Sequence, residues 1–307
     1  MRVRAQGSQR GVKKLSVIVT CTDRKMFVPP PALRVSSLPT GTVSSRLGTW
    51  TDRIHAETHR TPLSGLYKGE HWLQAHAVVD AAARAGFTAE LWVVSAGLGL
   101  QPVTASFPTY AATFNAGHED SVAPTGVDRR LWWRELQERM GTSTLAELGS
   151  RGPMLLVLSE VYGSVLTTEL RELGQAGTDA LLVGGTEDIS GVQRVPANGS
   201  LRKALGGTLT GLNARMAVSW LAHCEDGVLT SPATTESWTR WVERSAHRET
   251  YNRTPMTDAE VKDFIRASAA EQPGVSRTRL HRLLRESGRA CEQKRFANLY
   301  SETMGER

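Results

Sequence analysis

Five consecutive residues, Cys21, Thr22, Asp23, Arg24 and Lys25, set a thiol, a hydroxyl, a carboxylate, a guanidinium and an ammonium side by side. Two further stretches repeat the pattern of small and polar residues after an apolar run: "SAGLGL", with Ser95 and Gly97, and "SEVYG", with Ser159 and Tyr162. The stretch "FPTYAATFNAGHEDSV" adds Tyr110, Glu119 and Asp120, and Tyr67 opens "YKGEHW". Small residues let a flat ring approach closely, aromatic side chains stack on it, and carboxylates stabilise positive charge or move protons. These are the residue types of a nucleobase pocket lined by Cys21, Thr22, Tyr67, Ser95, Gly97, Tyr110, Ser159 and Tyr162. Asp23 is the first candidate carboxylate and Asp120 or Glu119 the second. A solvated turn with an Asp–Arg surface pair is the alternative for residues 21–25.

Other chemistries find no support in the motifs. Gly97 and Gly99 follow a strand, but a third glycine is missing and Pro102 interrupts the place where a dinucleotide-binding helix would begin. There is no phosphate-binding P-loop and no Gly-x-Ser-x-Gly elbow. His55 and His59 stand four apart in "HAETH", but no glutamate follows the first histidine directly, so the zinc-protease pattern fails. Cys21, Cys224 and Cys291 are too dispersed for a zinc site or a disulfide framework. No metal and no cofactor are expected.

For the polar clusters to meet, the apolar runs before them must be strands of one sheet. "LSVIVT" is nearly continuous and β-branched, as in a strand buried on both faces of a parallel sheet. "AELWVVSAG", "PMLLVLSEVYG" and "DALLVGG" follow the same form, and helical spacing recurs in "GEHWLQAHAVVDAAARAG", "RRLWWRELQERM" and "VLTTELRELGQAG". The alternation predicts an α/β domain with a mostly parallel central sheet flanked by helices. Ligands bind such sheets at the carboxyl ends of the strands, where all three clusters fall. Residues 27–66 read as an unusually long polar loop, the length of a binding or lid element. Its hydroxyls, Ser36, Ser37, Thr40, Thr42, Ser44 and Ser45, would rim the crevice.

The chain has 307 residues, a net charge of +6 and 40% apolar content, and no apolar stretch long enough for a membrane span or a secretory signal. A cytoplasmic protein is expected. Residues 1–13 read as a flexible basic arm, 14–230 as the α/β domain, 231–256 as a linker and 257–307 as a small helical domain. In the last, Thr257 with Glu260 forms a capping box, and Ser276 caps a second helix bearing Leu280, Leu283 and Leu284. Between residues 275 and 299 seven basic residues face only Glu286 and Glu292. Two helices joined by a tight turn, the second carrying Arg277, Arg279, Arg282 and Arg285, predict a helix-turn-helix or winged-helix unit that holds double-stranded DNA. A helical dimerisation tail is the alternative.

"CTDRK" after the first strand, "YKGEHW" before a helix, "VVSAGLGL" followed by a tyrosine-containing loop, and the tail "ACEQKRFANLY" resemble a group of bacterial α/β proteins within the uracil-DNA-glycosylase-like superfamily, some of which serve in phage defence. The resemblance implies a DNA glycosylase, with Asp23 in the position of the water-activating acid. No Pro-Tyr follows that Asp and no His-Pro-Ser is present, so the expected substrate is a bulkier modified base, such as glucosylated hydroxymethylcytosine in phage DNA, rather than uracil. Arg24 and Lys25 would hold flanking phosphates. Base exchange or nucleoside processing is a second enzymatic reading, and a ligand-sensing DNA-binding regulator a third.

Overall fold

Uninterrupted burial of Leu15–Thr20 makes the first strand the centre of the molecule, because both its faces and both its edges are covered. In a computed structural model describing residues 13–247 and 254–305, the main sheet contains β1 (Lys13–Thr20), β2 (Phe87–Ser95), β3 (Gly99–Pro102), β4 (Met154–Leu158), β5 (Ala180–Gly184) and β6 (Gln193–Val195). Their spatial order is β3, β2, β1, β4, β5, β6. Every pairing is parallel except that of β2 with the edge strand β3. Val17, Ile18 and Val19 are fully buried, each worth about 1.5–3 kcal/mol of apolar transfer.

Among the described residues, six longer helices belong to the same unit: α1 (Val43–Ala56), α2 (Glu70–Arg84), α3 (Gly126–Met140), α4 (Thr167–Gln175), α5 (Leu212–Ala222) and α6 (Pro232–Ser245). Helix α1 overturns the expected 27–66 loop. The Thr42 side chain accepts a hydrogen bond from the Ser45 amide at its start, and Leu47, Trp50 and Ile54 bury one face. The expected hydroxyl rim is engaged elsewhere: Ser37 donates to the Arg34 carbonyl at 2.8 Å and Ser44 to Glu135 at 2.7 Å.

The chain divides into two compact units after His247. The expected linker is therefore too long: Ser231 caps α6, and its Trp238 packs against Trp220 of α5 at 5.3 Å between ring centroids. Lys13, placed in the basic arm, is the first residue of β1, and the rest of that arm lies outside the described residues.

In the second unit, α7 (Asp258–Glu271), α8 (Arg277–Glu286) and α9 (Gln293–Met304) enclose a core of Val261, Ile265, Leu280, Leu284, Phe296 and Leu299. Both halves of the Thr257–Glu260 capping box form, as the spacing predicts. The strand pair, Thr254–Pro255 with Arg289–Ala290, is parallel, so among the described residues there is no hairpin to serve as a wing. No helix among the described residues is long and apolar enough to cross a membrane.

Candidate functional site

From β1 the chain reaches β2 on one side and later returns to β4 on the other, so the loops leaving β1 and β4 diverge. Such a reversal of strand order opens a crevice at the carboxyl ends of the two strands. Here it has a volume of about 690 Å³. Cys21, Thr22, Asp23 and Arg24 enter it from β1, and Ser159 and Tyr162 from β4. Six of the expected site residues are thus brought together.

On the floor, the Cys21 thiol and the Tyr162 hydroxyl lie 3.2 Å apart. Burial, then the neighbouring thiol, pushes the tyrosine pKa well above its ordinary value, so this hydroxyl keeps its proton, and either it or the thiol can be the donor between them. On the wall, Asp23 is largely exposed, with its Oδ2 3.5 Å from His118 Nε2. His118 Nδ1 accepts the Asp120 amide at 3.1 Å, which assigns the ring proton to Nε2 and directs it at Asp23.

The opposite wall is one that sequence reading missed. It consists of Lys68, Gly69, Glu70 and His71 at the start of α2, together with Thr208, Thr210 and Asn213. Gly69 holds φ at +94°, a conformation that favours glycine, and it starts the helix without a side-chain cap. The first-turn amides of α2, with Arg24 and Lys68, make this rim positive. His71 Nε2 lies 2.9 Å from the Thr20 carbonyl, so it carries the proton and Nδ1 is the acceptor nitrogen. Glu70 forms an ion pair with Arg215 and accepts from the Thr208 hydroxyl at 2.7 Å and the Thr208 amide at 3.2 Å. The bond from Arg215, then those from Thr208, hold its carboxyl down at about 2. Glu70 therefore ties the 206–211 segment to α2 and is no free acid. The motif "YKGEHW" contains Glu70 and His71 but assigns them no role, and nothing local marks the partners of Glu70 some 140 residues on.

Several expected pocket residues lie behind the crevice instead. Ser95 Oγ accepts the Gly97 and Leu98 amides, so its own proton goes to Tyr110, 2.5 Å away, and Tyr110 in turn reaches Tyr67 at 2.7 Å. Burial raises the pKa of both tyrosines, and neither ring is accessible for stacking on a base. A Cβ on Gly97 would come within 2.7 Å of the Tyr110 ring, so this glycine serves close packing. Lys25 is also buried: its ammonium donates to the Thr22 carbonyl at 3.3 Å and lies 4.3 Å over Tyr110, so it is turned into the protein rather than out to solvent. Burial lowers its pKa. The buried lysine and its aromatic bed fix the loop that displays Asp23.

Asp120 is corrected in the same way. It is 2% exposed and accepts from the Ser36 amide and hydroxyl at 3.1 and 2.6 Å, with Arg34 at 3.6 Å. Glu119 points outward and pairs with Arg34 at 3.5 Å. Both carboxylates brace the 34–37 segment through Arg34 and Ser36. Arg277, Arg279, Arg282 and Arg285 are exposed on α8 of the second unit, with Arg282 paired to Glu286 at 2.7 Å. Among the described residues no three His, Cys, Asp or Glu side chains gather as a metal site. No protein family, curated protein or solved structure matches the chain.

Proposed function

We propose that this crevice hydrolyses the N-glycosidic bond of a modified base in DNA. The observation that carries the reading is Asp23: an exposed carboxylate with a histidine N–H directed at it, on the wall of a nucleotide-sized crevice whose other rim is positive. Departure of the base leaves an oxocarbenium-like sugar, which a carboxylate stabilises while orienting water to attack C1′. The Tyr162 hydroxyl donates to the departing base, and Arg24, Lys68 and the first amides of α2 receive the flanking phosphate. Glucosylated hydroxymethylcytosine is the first substrate to test. With Ser36, Ser37 and Ser44 engaged within the fold, its sugar would be read by Thr210 and Asn213.

The test is incubation of the full chain with genomic DNA from phages of differing base modification, followed by mass spectrometry of released bases and counting of abasic sites. Release of a modified base at catalytic protein concentration supports the reading. Intact DNA throughout overturns it in favour of a ligand-sensing regulator, which the division into two compact units would suit.

A further inference from the structure

A second cavity, of about 620 Å³, lies between α3, α4 and the short helix Leu145–Gly149. Its volume is that of a small-molecule site. Leu131, Ala146 and Val165 give it apolar walls, and Val127 stands at its edge with 66% of its surface exposed. One half-buried acid, Glu169 of α4, interrupts this lining. Its Oε1 accepts the Trp133 indole at 2.6 Å, and no donor among the described residues bonds to the buried Oε2. The indole thus fills one of the roughly four acceptor sites of the carboxylate. Burial above all, with Glu172 beside it, raises the Glu169 pKa, and the Trp133 indole and the Leu145 amide lower it by less. Trp133 is held in turn: its ring stands edge-on to Phe114 at 6.1 Å between centroids, and Phe114 edge-on to Tyr162 at 5.0 Å. The carboxylate is therefore fixed in position yet short of donors. The rim carries both signs of charge. Along α3 it passes from Arg130 and Arg134 to Glu138, all exposed, and no ion pair among the described residues engages either arginine.

We infer that this cavity binds a small dipolar ligand with paired N–H donors at one end and an anionic group at the other, a guanine nucleotide or an arginine-like molecule. A carboxylate receives such a donor pair side by side, whether from the N1–H and 2-amino group of guanine or from a guanidinium fork. The last torsion of a glutamate is soft, so a turn of the Glu169 carboxyl presents Oε2 to the second donor. The body of the ligand covers Val127 and Leu131, and its anion meets Arg130 and Arg134. A purely apolar ligand would leave Glu169 stranded, and a simple anion would meet its negative charge. The cavity shares no lining residue with the crevice, so its ligand is independent of the reaction proposed there.

Isothermal titration of the full chain at pH 7 with guanosine monophosphate and with arginine measures the site, with adenosine monophosphate and lysine as controls that lack the donor pair. At least one of the two ligands should bind, one per chain and about tenfold or more above its control, and the one that binds names the source of the donors. Glu169→Gln replaces an acceptor with an amide of the same shape and should weaken binding by about tenfold or more, the size of one charge-assisted hydrogen bond. Ala146→Trp leaves Glu169 intact, fills the cavity from an exposed position and should abolish binding. Thermal melts verify that both variants fold. Guanosine or agmatine, the same donors without the anion, should bind more weakly. Failure of both ligands to bind at millimolar concentration overturns the site. So does a ligand held no better than its control or its anion-free form, or held equally by either variant, which would place it in the crevice or on the basic surface.

Discussion

The donors around a carboxylate distinguish Asp23 from Asp120. Asp23 meets one histidine and solvent, whereas Asp120 satisfies the amide and hydroxyl of Ser36 from a buried position. Asp23→Asn should retain the wild-type melting temperature and lose about 10²-fold or more in excision rate. Asp120→Ala should instead cost about 1–3 kcal/mol of stability by stranding the Ser36 donors, with excision reduced only as folded protein is lost. Denaturant unfolding and single-turnover excision measured on both variants check the contrast, and a larger rate defect at Asp120 would reverse the assignment. Glu169 gives a second residue-level test. Its Oε1 accepts the Trp133 indole at 2.6 Å, while Oε2 is buried with no partner. Burial raises its pKa, so the folded state binds a proton more readily than the unfolded chain does. At neutral pH that carboxylate opposes folding, and the opposition disappears as pH falls below the ordinary carboxylate value. Glu169→Gln should therefore stabilise the protein at pH 7 and have little effect near pH 4, as read by thermal melts at both. The run at Cys21–Arg24 was legible in sequence because four consecutive residues with reactive or polar side chains stand out locally after an apolar strand. The roles of Tyr67, Tyr110 and Lys25 were not, since burial by distant segments decides whether an aromatic ring or an amine faces a ligand.

Helix α1 shows how an element can be masked by its composition. Serine, threonine and glycine made residues 27–66 look like loop, and that composition outweighed the helical spacing of Leu47, Trp50 and Ile54 behind a Thr42 cap. The same holds for α6, where Ser231 and Pro232 are an ordinary helix start. Helix α1 also serves the site: its Trp50 indole donates to the Gly97 carbonyl at 2.8 Å, as Trp132 of α3 does to Ala96. Two indoles thereby fix the turn that carries Ser95. At the start of α2, the depressed Glu70 pKa contributes stability that is present above the usual carboxylate range and lost as pH falls through about 2. Glu70→Gln should therefore loosen the 206–211 segment at neutral pH, seen as faster amide exchange there than in wild type. Exchange rates indistinguishable at pH 7 would show that the segment is held by other contacts.

For the whole molecule, the strand–helix alternation disclosed the sheet class, because a parallel sheet buried on both faces writes itself as uninterrupted β-branched runs. The site was only half legible, since one wall comes from a contiguous stretch and the other from residues 68–71 joined to 208–215. The arginines of α8 make a salt-dependent prediction. Replacing Arg279, Arg282 and Arg285 with Ala should flatten the plot of log affinity against log salt by up to about three units for any duplex, and an unchanged slope would mark that helix as a protein contact. The position of β1 carries one more consequence. Its first neighbour begins at Phe87 and its second at Met154, so on the ribosome the central strand waits 134 residues, from Thr20 to Met154, for its second edge to be covered. At ordinary synthesis rates that delay is on the order of ten seconds, long enough for chaperones to engage the nascent chain. Throughout this wait the unpaired edge of β1 is open to chaperones or to the edges of other chains.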